Sequence, residues 1–255
     1  MTVASEGLQR HYDAKYALEA GGGSVGWIAR PPIPTDRFEA CCRFFPDLFH
    51  GGRILELAAG SGLVARSLIA SGLPFESYTS SDFSEARLAG LERTLDDPRV
   101  RVTRMDAEDL PESEFGRYDA VILIALIEHL VDPLRAMQRV RKLLRPGGFA
   151  YLDTPNVAKY TRRLKLLFGR FPSTASRNEG LTTYEGDPVD LHDEGHLHYF
   201  THRSLSLMLT QRCGFARVRA LTYFTGGRLL GRAPDHALAR LWPGMFSEVC
   251  LVAYV

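Results

Sequence analysis

The chain has 255 residues, room for one large domain or two small ones, since domains run about 100–200 residues and some α/β folds reach about 250. Apolar residues make up 45% and charged residues 24%, the balance of a folded globular chain, which excludes wholesale disorder. With 31 basic against 30 acidic side chains there is no global field to draw the chain onto nucleic acid or an anionic membrane, so neither partner is expected. Four of the basic residues are lysines and 27 are arginines.

In chain order, the opening MTVASEGLQRHYD has neither a basic start nor an apolar stretch, so it does not read as a secretory signal. Apolar runs with β character follow at Arg53–Leu57, Phe75–Ser80, Val100–Val102, Tyr118–Ile124 and Phe149–Leu152. Helical period lies between them at Leu63–Ser71, Ser84–Leu95 and Leu134–Leu144, with Ser84 and Asp132 as expected N-caps and Pro133 at a first helical position. Arg145-Pro-Gly-Gly148 is expected to end the third helix and turn into the fifth strand. Ala120–Ile127 is the longest apolar run, eight residues against the roughly 20 that span a bilayer.

Beyond Asn156 a basic helix is expected over Ala158–Phe168, a polar stretch over Gly169–Gly195, and a helix over Ser204–Cys213. Two β runs, Ala216–Phe224 and Ser247–Val255, close the chain, and without a clear crossover helix between them the finish should be antiparallel. The fold class is therefore α/β, a Rossmann-like, doubly wound, seven-stranded sheet, mostly parallel with an antiparallel C-terminal strand. Cys41, Cys42, Cys213 and Cys250 show no CxxC spacing, which points away from a cysteine zinc site or disulfide framework and toward a reducing cytoplasm.

Ile54-Leu-Glu-Leu-Ala-Ala-Gly-Ser-Gly-Leu63 carries the most chemistry: a strand enters a Gly-x-Gly turn and a helix starts at once, aiming backbone amides at whatever lies above. Gly60 and Gly62, lacking side chains, would let a nucleoside cofactor approach. The loop also satisfies the loose G-x-G-x-x-A form of a dinucleotide site, with Asp82 at the ribose position. Glu56, however, would repel a pyrophosphate and attract an ammonium or sulfonium. An acid follows each of the next two strands, Asp82 in Ser-Ser-Asp-Phe-Ser and Asp106 in Met-Asp-Ala-Glu-Asp-Leu-Pro. Ile127-Glu-His-Leu-Val-Asp-Pro133 and Leu144-Arg-Pro-Gly-Gly-Phe149 then frame the fourth and fifth strands.

Together these residues, over about 51–155, resemble class I S-adenosylmethionine-dependent methyltransferases, especially the small-molecule group that includes ubiquinone-biosynthesis O-methyltransferases. The resemblance implies S-adenosyl-L-methionine as cofactor, with Glu56, Ala58, Gly60 and Gly62 at its methionine end and Asp82 on the ribose. It places Phe83, Asp106 and Ala107 at the adenine and Ile124 to Leu126, with Leu126 the last, beneath the cofactor. Ala58 departs from the glycine often found there. It further implies a single methyltransferase domain over 1–255: a helical cover over 1–50, the cofactor core over 51–155, a substrate-side insertion over 156–203, and closing elements over 204–255. Tyr12 and Tyr16, four apart on an expected helix, could close over the methionine end.

Transfer to a hydroxyl needs a base, and His129 at the mouth of the central strand is the first candidate. His192, His196, His198 and His202 cluster with Asp190, Asp193 and Glu194, a density that could gather a divalent metal, but Gly195-His-Leu-His-Tyr-Phe-Thr is similar to a metal-free substrate-side segment of these enzymes. His196 or His198 is accordingly expected as acceptor partner or base, with no metal. Arg162, Arg163, Lys165 and Arg170 could meet an anionic acceptor or form a solvated face. The expected activity is methylation of a small-molecule hydroxyl by a cytoplasmic enzyme, with a homodimer left open. N-methylation of an amine or amino sugar, and a non-catalytic cofactor-binding partner, are the alternatives.

Overall fold

In the computed structural model the described residues are 26–175, 179–180, 192–225 and 229–255. Tyr12, Tyr16 and Asp190 lie outside them, as does the side chain of His192.

A seven-stranded sheet organises the chain in the order β3-β2-β1-β4-β5-β7-β6. Its strands are β1 (Arg53–Leu57), β2 (Ser77–Asp82), β3 (Val100–Arg104), β4 (Tyr118–Ile124), β5 (Leu144–Thr154), β6 (Arg217–Leu221) and β7 (Val249–Tyr254). The first five are parallel, and β7 runs antiparallel to both β5 and β6, as the sequence predicts. The chain winds outward from β1 to β3, then returns across β1 to place β4 on its other side. That reversal opens a crevice above the carboxyl ends of β1 and β4, the place where open α/β sheets hold ligands.

β4 reads Tyr-Asp-Ala-Val-Ile-Leu-Ile because helices cover it on both faces: Val121 and Leu123 enter one core, Ala120, Ile122 and Ile124 the other. On the first side packs α4 (Pro133–Leu143), which buries Ala136, Met137, Val140 and Leu143 and turns Arg135, Gln138 and Lys142 outward. Asp132 caps it by accepting from the Arg135 N–H at 2.9 Å, and Pro133 occupies the first helical position, as expected. On the second side lie α1 (Arg37–Phe44) and α2 (Leu63–Ala70), with Cys41, Phe45, Val64 and Leu68 in the core. α3 (Glu85–Thr94) follows β2. Ser84 precedes it without capping through its hydroxyl, and its N–H instead meets Asp82 Oδ1 at 3.0 Å.

Three segments differ from the pattern reading. β5 starts at Leu144, so Arg145-Pro-Gly-Gly148 belongs to the strand, with a register shift opposite Tyr118–Ala120 and Gly147 at φ +83°. The helix expected over Ser204–Cys213 is α6 (His202–Leu207), whose last turn widens into a π turn over Met208–Arg212. The Gly-, Pro- and Arg-rich stretch before β7 contains α7 (Arg232–Leu241) and α8 (Pro243–Phe246). The basic helix α5 (Tyr160–Leu167) forms as expected. No described helix is long and apolar enough to cross a membrane. All four cysteines are buried free thiols.

Candidate active site

The cofactor half grows from the β1 turn. Glu56 points under it, nearly fully buried, and accepts from the Tyr78 hydroxyl at 2.7 Å. Burial pushes its carboxyl up to about 8; the Tyr78 bond pulls the other way and nearby Asp82 adds to the rise. Asp82, at the end of β2, accepts from the Gly60 N–H at 2.9 Å through Oδ2 and from Ser84 through Oδ1, and burial raises it as well. Glu56, Gly60 and Asp82 thus meet at one edge of the sheet.

The two glycines serve different ends. A Cβ on Gly60 would meet nothing within 4 Å, so this residue borders open space. A Cβ on Gly62 would sit 2.7 Å from Leu91 Cδ2, so its lack of a side chain lets α3 pack closely against the turn. Both have positive φ, and so does Ala58 at +55°, where an L side chain is strained by roughly 1–2 kcal/mol. The left-handed turn explains why glycine suits position 58. Phe83 is half-buried with the Arg104 guanidinium 5.6 Å from its ring centre, and Asp106 turns its loop by accepting from the Glu108 N–H at 2.9 Å. Ala107 and Ile124 are buried, and Leu126 is half-buried.

The acceptor half is assembled across the chain. After β4, Ala125 takes φ +52° and its N–H donates to the Asp153 carbonyl at 2.9 Å, tying the loop to β5. A short 3₁₀ turn, Ile127–His129, then presents Glu128 and His129. The Glu128 carbonyl accepts from the Leu197 and His198 N–H groups at 2.8 and 3.1 Å, which holds the 196–200 segment against the turn. This brings His196 edge-on to His129, ring centres 4.7 Å apart. His129 Nδ1 lies 3.2 Å from the Gly195 carbonyl; that oxygen can only accept, so Nδ1–H is the donor of this contact. Thr174 Oγ1 lies 2.6 Å from His196 Nδ1.

His198 parts from this pair and directs Nε2 to the Val131 carbonyl at 3.3 Å. His202 sits at the start of α6 beside Ser247 and Glu248, and burial lowers its pKa. The histidine cluster of the sequence therefore divides, and His129 rather than His198 or His202 joins His196. The ligand atoms of Glu128, His129 and His196 all lie within 4.8 Å of one another, a spacing a divalent ion could bridge.

Three residues with no role assigned from sequence complete this side. Glu128 is buried, with Oε2 accepting from Thr154 Oγ1 at 2.8 Å and Oε1 3.7 Å from the Arg37 guanidinium. Asp153 is fully buried and accepts from the Tyr223 hydroxyl at 2.7 Å; burial pushes it up to about 7 against the pull of Arg37. Arg37, at the first position of α1, faces both acids. The cations on and beside α5 are largely engaged within the chain. Lys159 and Arg162 pair with buried Glu248 at 3.1 and 2.8 Å, Arg163 donates to the Ala158 carbonyl, and Arg170 pairs with Glu179 at 2.7 Å. Arg162, held by buried Glu248, is therefore not a waiting anion site, whereas Arg170 makes its ion pair on the exposed surface.

The fold, with its glycine turn and acid-lined crevice, is that of the Rossmann-like class I methyltransferases. Residues 35–220 match the family model described as a methyltransferase domain, and the chain belongs to that family. Among curated proteins it is 37% identical over 99 residues to a demethylmenaquinone methyltransferase of Clavibacter sepedonicus, covering 38% of this chain and 39% of the relative. It is 34% identical over 112 residues to a ubiquinone biosynthesis O-methyltransferase of Xanthomonas oryzae pv. oryzae, 42% of this chain and 44% of the relative. The match thus spans less than half the length of these relatives. Among solved structures, an S-adenosylmethionine-dependent methyltransferase of Mesorhizobium loti superposes with a TM-score of 0.56 at 19% identity, covering 85% of this chain and 98% of that one. At that identity the likeness speaks for the fold.

Proposed function

We propose that the protein transfers a methyl group from S-adenosyl-L-methionine to a hydroxyl of a small molecule, as a cytoplasmic enzyme. Membership of the methyltransferase family and the chemistry of the crevice both support this reading. The leading influences on Glu56 are burial, the Tyr78 hydroxyl and Asp82, none of them cationic, so this edge favours a positively charged ligand. Glu56 and Gly60 would hold the methionine end, Asp82 the ribose, and Phe83, Asp106 and Ala107 the adenine, with Ile124 and Leu126 below. When bound, the cofactor supplies a methyl group already activated on a sulfonium, so the protein has mainly to align the acceptor and exclude water.

The observation that carries the choice of oxygen is the edge-on pair His129–His196 at the carboxyl edge of β4. With Nδ1–H directed to the Gly195 carbonyl, Nε2 of a neutral His129 would be the nitrogen to take the hydroxyl proton, with the His196 ring beside it. Metal is not assigned a part, because Arg37 already stands as the counter-charge of Glu128. His129→Ala and His196→Ala should each lower turnover by about 10²–10⁴-fold, the usual worth of a positioned base, while His198→Ala stays near wild type. Transfer to an amine needs no such base, so unchanged turnover in both variants would replace the oxygen reading with nitrogen.

A further inference from the structure

Two carboxylate oxygens on the acceptor side have no hydrogen-bond donor among the described residues, Asp153 Oδ1 and Glu128 Oε1. Both side chains are at least 99% buried: Asp153 is 0% and Glu128 1% exposed. Their other oxygens are held, by the Tyr223 hydroxyl at 2.7 Å and by the Thr154 hydroxyl at 2.8 Å. The Cys250 thiol, 3.1 Å from Tyr151 Oη, also adjoins Asp153, where a thiol is at best a weak donor. An unmet buried acceptor is costly, and more so when charged, so two of them at the carboxyl edge of the sheet suit a donor that the described residues do not supply.

Arg37 is the cation that faces both acids, 3.7 Å from Glu128 Oε1. The third acid nearby, Glu248, is already taken by Lys159 and Arg162 and does not share in the deficit. One guanidinium between two carboxylates leaves lone pairs in excess of donors. A ligand bringing O–H or N–H groups satisfies them; once both acids are ionised, a carboxylate or phosphate adds a third negative charge and is repelled.

We propose that Asp153 and Glu128 determine acceptor specificity, each taking a hydrogen bond from a hydroxyl or amino group of the acceptor and together rejecting anions. This rests on the methyltransferase reading above, and it replaces the anionic acceptor considered from the basic residues of α5.

The test uses the protein loaded with S-adenosylhomocysteine and two probes of one shape, 4-hydroxybenzamide and 4-hydroxybenzoate, titrated by calorimetry. The amide, which brings donors, should bind at least about tenfold more tightly than the anion, a difference of about 1.4 kcal/mol. In Asp153→Asn the new side-chain N–H₂ offers a donor and removes a charge, so the benzoate should gain affinity while the amide loses it. Such a gain cannot come from a weakened fold. Glu128→Gln, read in the same way, serves if the first variant does not fold. Equal affinities, a preference for benzoate, no binding of the amide, or an unchanged ratio in the variants would overturn the proposal. Failure to bind S-adenosylhomocysteine would instead overturn the cofactor reading beneath it.

Discussion

Glu56→Gln probes the cofactor half most directly, because it removes a charge while keeping the Tyr78 contact. Opposite unit charges about 4 Å apart gain about 4 kcal/mol at an effective dielectric constant near 20. Part of that is spent in ionising the wild-type group: its pKa stands at about 8, so at pH 7 a proton must leave before the pair forms. One pH unit corresponds to about 1.4 kcal/mol. The remaining 2.5 kcal/mol or so predicts that Glu56→Gln binds S-adenosylmethionine about a hundredfold more weakly at pH 7. The pH profile is more diagnostic. Wild-type affinity should rise by close to tenfold per unit as pH climbs toward 8 and then level, whereas the variant should be flat. Isothermal calorimetry between pH 6 and 9 measures both. Affinity within twofold of wild type in the variant, a matching slope in both proteins, or tighter binding of NAD would refute the reasoning.

Other consequences concern stability and metal. Burial pushes Glu248 up, but Arg162 and Lys159 outweigh it and hold the group down to about 2, below its ordinary 4.5. Its contribution is therefore present above pH 4.5 and lost as pH falls through 2; Glu248→Ala, leaving two cations unpaired, should cost about 3–5 kcal/mol by urea unfolding at pH 7. Gly62→Ala drives a Cβ to 2.7 Å from Leu91 Cδ2 at φ +72° and should lower stability by at least about 2 kcal/mol, while Ala58→Gly, relieving φ +55°, should raise Tm by about 1–3 °C. A fall in Tm for Ala58→Gly would count against strain at that turn. Chelation with EDTA should leave turnover within about twofold if Arg37, rather than a metal, balances Glu128.

The cofactor half was legible because its chemistry is local. The glycine turn, Glu56 just before it and an acid at the end of each neighbouring strand are short-range patterns, and the alternation of strands with helices sets their order. Gly62 shows the limit of that reasoning: spacing points to ligand approach and does not reveal the packing demand that Leu91 makes on the same residue. The acceptor half depends on distant partners. His129 meets His196 only because the Glu128 carbonyl captures the 197–198 amides, and Arg37 arrives from a helix whose register no motif announces. A signal did exist for Asp153, a lone charge at the end of the apolar run Phe149–Leu152, where a buried strand has no other use for an acid. Helix α7 escaped because glycine, proline and arginine obscured the short pattern of Ala233–Leu241.

The two outer strands give the arginine surplus a purpose unrelated to catalysis. β3 and β6 end the sheet, and each leaves backbone groups that another chain's strand could extend. Both carry charge at these margins: Arg101 and Arg104 in β3, Arg217 and Arg219 in β6. Arg101 is braced by Glu114 at 3.3 Å, and Arg217 lies 4.3 Å from the Tyr254 ring centre. Like charges brought face to face by edge pairing would repel, so arginines at these margins disfavour extension of the sheet by another copy of the same strand.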